Sequence, residues 1–141
     1  MIIFIAWTVF FINNYIWDLI KLKNGIKNVF ELEMFCIPLH VNKNHWAIAI
    51  CFMNEKNIEY FDSLGGDCVI AGPLIYCYLS NMSKKFNSNF EFTEWKWEKS
   101  TRMPKQTNGY DCGVFMLQCL YQITSYKQLL FTKWYPQIEN S

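Results

Sequence analysis

Histidine is scarce in this chain, with two in 141 residues, His40 and His45. Any chemistry that needs an imidazole must use one of them. Charge of one sign is also lacking. The formal net charge is +1, and the lysines Lys21, Lys23, Lys27, Lys84, Lys85, Lys96 and Lys99 are scattered. A nucleic-acid binder concentrates such residues on one face, so these read as solvated surface and no nucleic-acid partner is expected. No Cys-x-x-Cys pair occurs among Cys36, Cys51, Cys68, Cys77, Cys112 and Cys119, and with two histidines the spacings fit no common zinc site. Phosphate-cradling glycine loops and paired catalytic carboxylates are missing too, so neither a metal nor an organic cofactor is expected.

A membrane-crossing helix needs about 20 apolar residues. The N-terminal run "MIIFIAWTVFFI" has twelve, with Ile2 and Ile3 directly after Met1 and no small-residue cleavage site behind. It reads as buried structure rather than as a membrane or secretory segment. So abrupt a start is what a chain lacking upstream sequence would show. Without a secretory signal, a disulfide framework is not expected, and the setting is reducing, nuclear or cytoplasmic. Repeats, low-complexity tracts and Pro/Gly-rich linkers are absent, and the length suits one domain.

What the chain does have is core-forming material: 52% of its residues are hydrophobic and 18% aromatic. That composition suits a packed domain and excludes disorder. Residues 12–34 carry Trp17, Leu19, Ile20, Leu22 and Ile26 at partly helical spacing, with Asn24-Gly25 as a turn. "MFCIPLH" is a strand candidate ending near Pro38. "HWAIAICFM" (45–53) and "IEYFDSLGG" (58–66) flank "NEKN" as a hairpin, and the first strand is apolar on both faces, so both should be covered. Ile75, Tyr78, Leu79 and Met82 form one helical face over 73–86, with Pro73 in the first turn. "FEFTEWKWE" (90–98) reads as a half-exposed strand, and "STRMPKQTNGYD" as a polar loop. From Cys112 on, residues 112, 115, 116, 119, 120 and 123 make an apolar helical stripe, with Asp111 where an N-cap belongs. Consecutive strands between helices predict an α+β domain.

A cysteine reacts as its thiolate, which a helix N-terminus and a neighbouring imidazolium favour. Cys112 opens its helix, whereas Cys119 lies two turns inside the stripe and reads as core. Of the histidines, His45 starts a strand and faces a cleft more readily than His40, which reads as surface. The hairpin returns Asp62 to the end where His45 begins, so Asp62 can orient the ring. As a bland alternative, Asp62 merely opens the turn "DSLGG". An acyl-transfer site also needs donors for the developing oxyanion. The first-turn amide of Cys112 has no intrahelical partner, and Gln106 can add its side-chain amide.

"IPLHVNKNHWAIAI", "IEYFDSLGG" and "MPKQTNGYDCGVF" resemble the three active-site blocks of the ubiquitin-like-protein-specific, or SUMO-specific, cysteine proteases, over roughly residues 8–135. The resemblance implies a papain-like α+β fold with a central mixed or antiparallel sheet flanked by helices. The order is permuted, so histidine and aspartate precede cysteine. It implies cleavage after the C-terminal diglycine of SUMO, both on precursors and on lysine conjugates. By position, Cys112 is the nucleophile, His45 its base, Asp62 the orienting carboxylate and Gln106 the oxyanion-hole side chain. Trp46 matches a tryptophan beside the substrate glycines, with a plain core aromatic as its alternative. Asn108 and Gly109 are assigned to substrate binding. Expected partners are SUMO or a related modifier and its conjugates, with no membrane and a monomeric chain, in the nucleus or cytoplasm with the nucleus favoured. The family's upstream Trp-Leu-Asn-Asp helix and closing basic helix have no counterpart, so residues 1–141 read as a single, incomplete catalytic domain. The alternatives are a catalytically impaired SUMO-binding remnant and a protease for another ubiquitin-like modifier.

Overall fold

A computed structural model of the chain describes residues 3–5, 10–11, 28–42 and 44–129. Six strands form one mixed sheet: β1 (Ile3–Ile5), β2 (Phe10–Phe11), β3 (Met34–Val41), β4 (His45–Phe52), β5 (Asn57–Phe61) and β6 (Lys96–Lys99). Along the sheet the order is β1-β3-β4-β5-β6, with β2 also pairing β3. The sheet is antiparallel across β3, β4 and β5 and parallel at its margins. Two helices complete the described chain, α1 (Ala71–Phe86) and α2 (Cys112–Thr124). Parallel neighbours cannot be joined by a tight turn. Accordingly α1 lies in the connection between β5 and β6.

The expected hairpin is the middle of this sheet. Its β4 is apolar on both faces because each face meets a different layer. Ala47, Ala49 and Cys51 share a cluster with Phe35, Ile58, Tyr60 and the α1 residues Ile75, Tyr78 and Leu79. Ile48 and Ile50 share the other cluster with Phe61 and the α2 residues Phe115, Met116, Cys119, Leu120 and Ile123. All six positions of the predicted α2 stripe are buried. The strand period of two thus sorts one continuous apolar run into two cores.

Two local expectations change, and a third lies largely outside the described residues. The strand "MFCIPLH" does not end near Pro38 but runs on to Val41. Met53 N–H donates to Glu33 O, and the register pairs Pro38 with Ile48. Antiparallel alternation then makes Pro38 a non-hydrogen-bonded position toward β4. On its other side, β1 pairs only as far as Cys36 and β2 begins at Leu39. A residue without an N–H is therefore tolerated inside the strand. The strand "FEFTEWKWE" shrinks to Lys96–Lys99, preceded by a 3-10 turn at Phe92–Glu94. Phe90 and Phe92 pack on Tyr76 of α1, and Phe90 also meets Trp95, so aromatic contact with the helix replaces strand pairing here. The helix with loop expected over 12–34 lies, for residues 12–27, outside the described residues. What is described of 28–34 is a 3-10 turn, Val29–Glu31, and the start of β3.

The apolar layers also decide cysteine chemistry. Burial pushes the Cys36 thiol up to about 12 and raises Cys51 and Cys119 further. These three are inert packing groups. Replacing Cys119 by serine puts a hydroxyl into the α2 core. That change is expected to destabilise the protein by about 1–3 kcal/mol in urea titration.

Candidate active site

His45 is the first residue of β4, and Asp62 directly follows the last residue of β5. The register pairs Ile48 with Phe61 and continues to place Asp62 opposite Ala47, diagonal to His45 on the same face. The result is a bond of 2.7 Å between His45 Nε2 and Asp62 Oδ1. Asp62 is 6% exposed, and a carboxylate so buried needs donors. It has two besides the histidine: Leu64 N–H at 2.8 Å to Oδ1, and the Tyr60 hydroxyl at 3.2 Å to Oδ2. Burial, then the neighbouring Asp62 charge, pushes the Tyr60 phenol far above its ordinary range, so it stays protonated and donates. Asp62 also opens a turn, its carbonyl accepting from Gly65 N–H at 3.0 Å, with Gly65 at φ +74°. Asp62 thus both opens a turn and bonds His45, and the turn supplies the Leu64 amide that meets the carboxylate.

With Nε2 committed to Asp62, Nδ1 is the ring nitrogen left to handle a proton. His40 is not the surface residue expected. It is half-buried and stacks on Trp46, with ring centroids 4.6 Å apart and 26° between planes. Trp46 in turn covers the start of α2. A Cβ placed on Gly113 would lie 3.5 Å from the Trp46 ring. The residue after His45 is thus packed against the residue after Cys112.

By strand alternation, His45, Asp62 and Tyr60 share the α1 face, while Trp46 is on the α2 face. The site therefore forms over the rim of the sheet, at the end where β3, β5 and β6 finish. Cys112 opens α2 there and is 7% exposed. Asp111 occupies the N-cap position but makes no side-chain cap. Its carboxylate instead accepts from Asn108 Nδ2 at 2.7 Å. Asn108 Oδ1 accepts from the N–H groups of Tyr110 and Asp111 at 3.0 and 2.9 Å, folding the turn onto the helix start. Gly109 has no positive φ, and a Cβ there would meet nothing within 4 Å. Its side of the turn is open, and Tyr110 beside it is 80% exposed.

The loop leaving β6 at this end carries Gln106, which is buried. Its backbone N–H donates to Ser63 O at 2.9 Å, its Nε2 donates to Asn108 O at 2.7 Å, and its Oε1 accepts from the Ser63 hydroxyl. Hydrogen bonds therefore run from Gln106 through Asn108 to Asp111, next to Cys112. A second tether was not visible in the sequence. Arg102 forks onto buried Glu59 through Nε and Nη2 at 2.9 and 2.8 Å, with its guanidinium 5.5 Å from the Phe61 ring. The bond to Glu59 holds the Arg102 guanidinium above its ordinary range. Tyr60 and Ser63 were missed as well. Period-two spacing before Asp62 could have flagged Tyr60, whereas nothing local marks Ser63 or Glu59.

Among the described residues, no His, Cys, Asp and Glu cluster could hold a metal, and no helix is long and apolar enough to cross a membrane.

A mixed sheet between two helices, with a histidine–aspartate pair at its rim and a cysteine opening the adjoining helix, defines the α+β, papain-like class of cysteine peptidase folds. The description "Ulp1 protease family, C-terminal catalytic domain" matches residues 18–133, and the chain belongs to that family. A sentrin-specific protease of Caenorhabditis elegans is 34% identical over 93 residues, 64% of this chain and 13% of that protein. Human sentrin-specific protease 2 is 33% identical over 109 residues, 75% of this chain and 18% of that protein. The C-terminal Ulp1 protease domain solved in complex with Smt3, the yeast ortholog of SUMO, superposes with a TM-score of 0.62 at 25% identity. It is matched over 74% of this chain and 47% of its own. The chain thus spans under a fifth of those two curated relatives and about half of that solved domain.

Two substitutions test how the site is held. Arg102→Ala leaves the Glu59 carboxylate buried without its partner. Because the arginine is half exposed, the expected loss is about 1–3 kcal/mol rather than that of a fully buried pair, read from urea midpoints. Tyr60→Phe removes one donor from Asp62 and is expected to cost about 1–2 kcal/mol by the same measurement.

Proposed function

We propose that the chain is a cysteine peptidase that cleaves after the C-terminal diglycine of SUMO, releasing it from lysine side chains or from its precursor. The observation that carries the reading is the His45–Asp62 bond at the rim where Cys112 opens α2. The family and the complex of its solved relative with Smt3 support the substrate class.

In this mechanism His45 Nδ1 takes the Cys112 thiol proton, and the thiolate attacks the carbonyl carbon of the terminal glycine. The developing oxyanion accepts hydrogen bonds from the Cys112 amide and from Gln106 Nε2. The imidazolium, steadied by Asp62, then protonates the leaving lysine amine as the C–N bond breaks, leaving a thioester. Water loses a proton to His45 as it attacks the thioester. The products are the SUMO carboxylate and the restored thiol. Trp46 flanks the Cys112 end of α2, where a flat ring would exclude side chains larger than those of the glycines. Asn108 and Gly109 border the same entrance on the open side of the turn. SUMO conjugates are the partners, the nucleus is the working compartment, and the chain acts as a monomer.

The test is incubation with SUMO joined through its diglycine to a reporter, alongside vinyl-sulfone probes built on SUMO, ubiquitin and a NEDD-type modifier. Release of the reporter and labelling of Cys112 by the SUMO probe are expected, with Cys112→Ser abolishing both. Folded protein that binds SUMO without turnover or labelling would make it a binding remnant. Preferential labelling by another probe would reassign the modifier. Gln106→Ala is expected to lower kcat by roughly 10²–10³, the usual loss for one oxyanion donor.

A further inference from the structure

We propose that Ser63 is a positioning residue that sets the orientation of the Gln106 amide, so that an N–H rather than the carbonyl oxygen faces the oxyanion; this rests on the peptidase reading above. A glutamine amide has two sides of nearly equal shape and opposite function, two donors on nitrogen and an acceptor on oxygen. With the wrong side forward, a lone pair would meet the developing negative charge. Two contacts bear on the choice, the first by chemistry and the second by holding the oxygen in place. Asn108 O can only accept, and at 2.7 Å it must face Nε2. Ser63 Oγ, which could donate or accept, here donates to Oε1 and holds the oxygen on the side away from Asn108 O. Nitrogen keeps a second N–H after the Asn108 bond, and that N–H is the one available to substrate.

The contact is built in. Ser63 is 1% exposed, and its carbonyl also accepts the Gln106 backbone N–H at 2.9 Å. Main chain and side chain of Gln106 are therefore both fastened to one residue, 43 positions away. That residue directly follows Asp62. One turn thus carries the carboxylate that orients the histidine and the hydroxyl that orients the oxyanion donor. A displacement of this turn would disturb both functions together.

A purely structural role for Ser63 would affect the whole site. A positioning role affects only steps that develop an oxyanion. Alkylation of Cys112 by chloroacetamide displaces chloride and forms no oxyanion, whereas turnover of the SUMO–reporter fusion does. Ser63→Ala is expected to lower kcat roughly 10- to 100-fold, within the roughly 10²–10³ available from the donor itself. KM should change less than about three-fold, and the Cys112 alkylation rate should stay unchanged. Adding Ser63→Ala to Gln106→Ala should cause no further loss, because the oriented group is already gone. Ser63→Cys keeps the side chain's connectivity, slightly enlarged, and replaces a strong donor with a weak one, so it carries the same kcat test where the alanine variant is poorly folded. The proposal is overturned by a kcat within about three-fold of the parent, by parallel loss of alkylation and turnover, or by a full additional loss in the Gln106→Ala background. Absence of turnover in the unsubstituted chain would instead remove the peptidase reading itself.

Discussion

Burying a carboxylate near the end of a sheet is unfavourable unless several donors converge on it, and the β4–β5 hairpin is what makes them converge on Asp62. Its register brings the His45 ring within 2.7 Å. Its strand alternation brings the Tyr60 hydroxyl from two residues upstream, and its closing turn brings the Leu64 amide from two residues downstream. A one-residue slip of β4 against β5 would put His45 on the face opposite Asp62 and remove that bond. The hairpin therefore specifies the candidate site and its own pairing with the same contacts.

Around that carboxylate, the two helices have unequal duties. The α1 layer closes one face of the sheet and supplies the crossover that makes β6 parallel to β5. This crossover delivers the following loop to the rim where His45 and Asp62 lie. The α2 layer closes the other face and presents Cys112 at its first turn. Because the histidine belongs to one face and the cysteine helix to the other, the site can form only where the sheet ends. Trp46, between the His40 ring and Gly113, is the packing contact that joins the rim to the helix start.

Much of this was legible in the residues themselves. Strand-length apolar runs around "NEKN" located the hairpin, and helical spacing located all six buried positions of α2. The same spacing separated Cys112 from Cys119. The misreadings were of residues whose fate depends on one particular side-chain partner rather than on the periodicity around them. His40 looked like surface until Trp46 stacked on it. Phe90 and Phe92 looked like strand until Tyr76 drew them to α1. Asp111 looked like a side-chain cap until Asn108 took its carboxylate.

The sequence by itself determined which groups are available, their order, and which cysteine opens a helix, because periodicity and chain reversal are properties of a few neighbouring residues. Only the tertiary structure decided how those groups are held. Gln106 is fastened to Ser63, and Arg102 to Glu59, across 43 residues in each case. Those partners meet through the register of β5 with β6 and the length of the α1 crossover. No local pattern encodes a contact of that kind, since it exists only after two layers have packed on the same sheet.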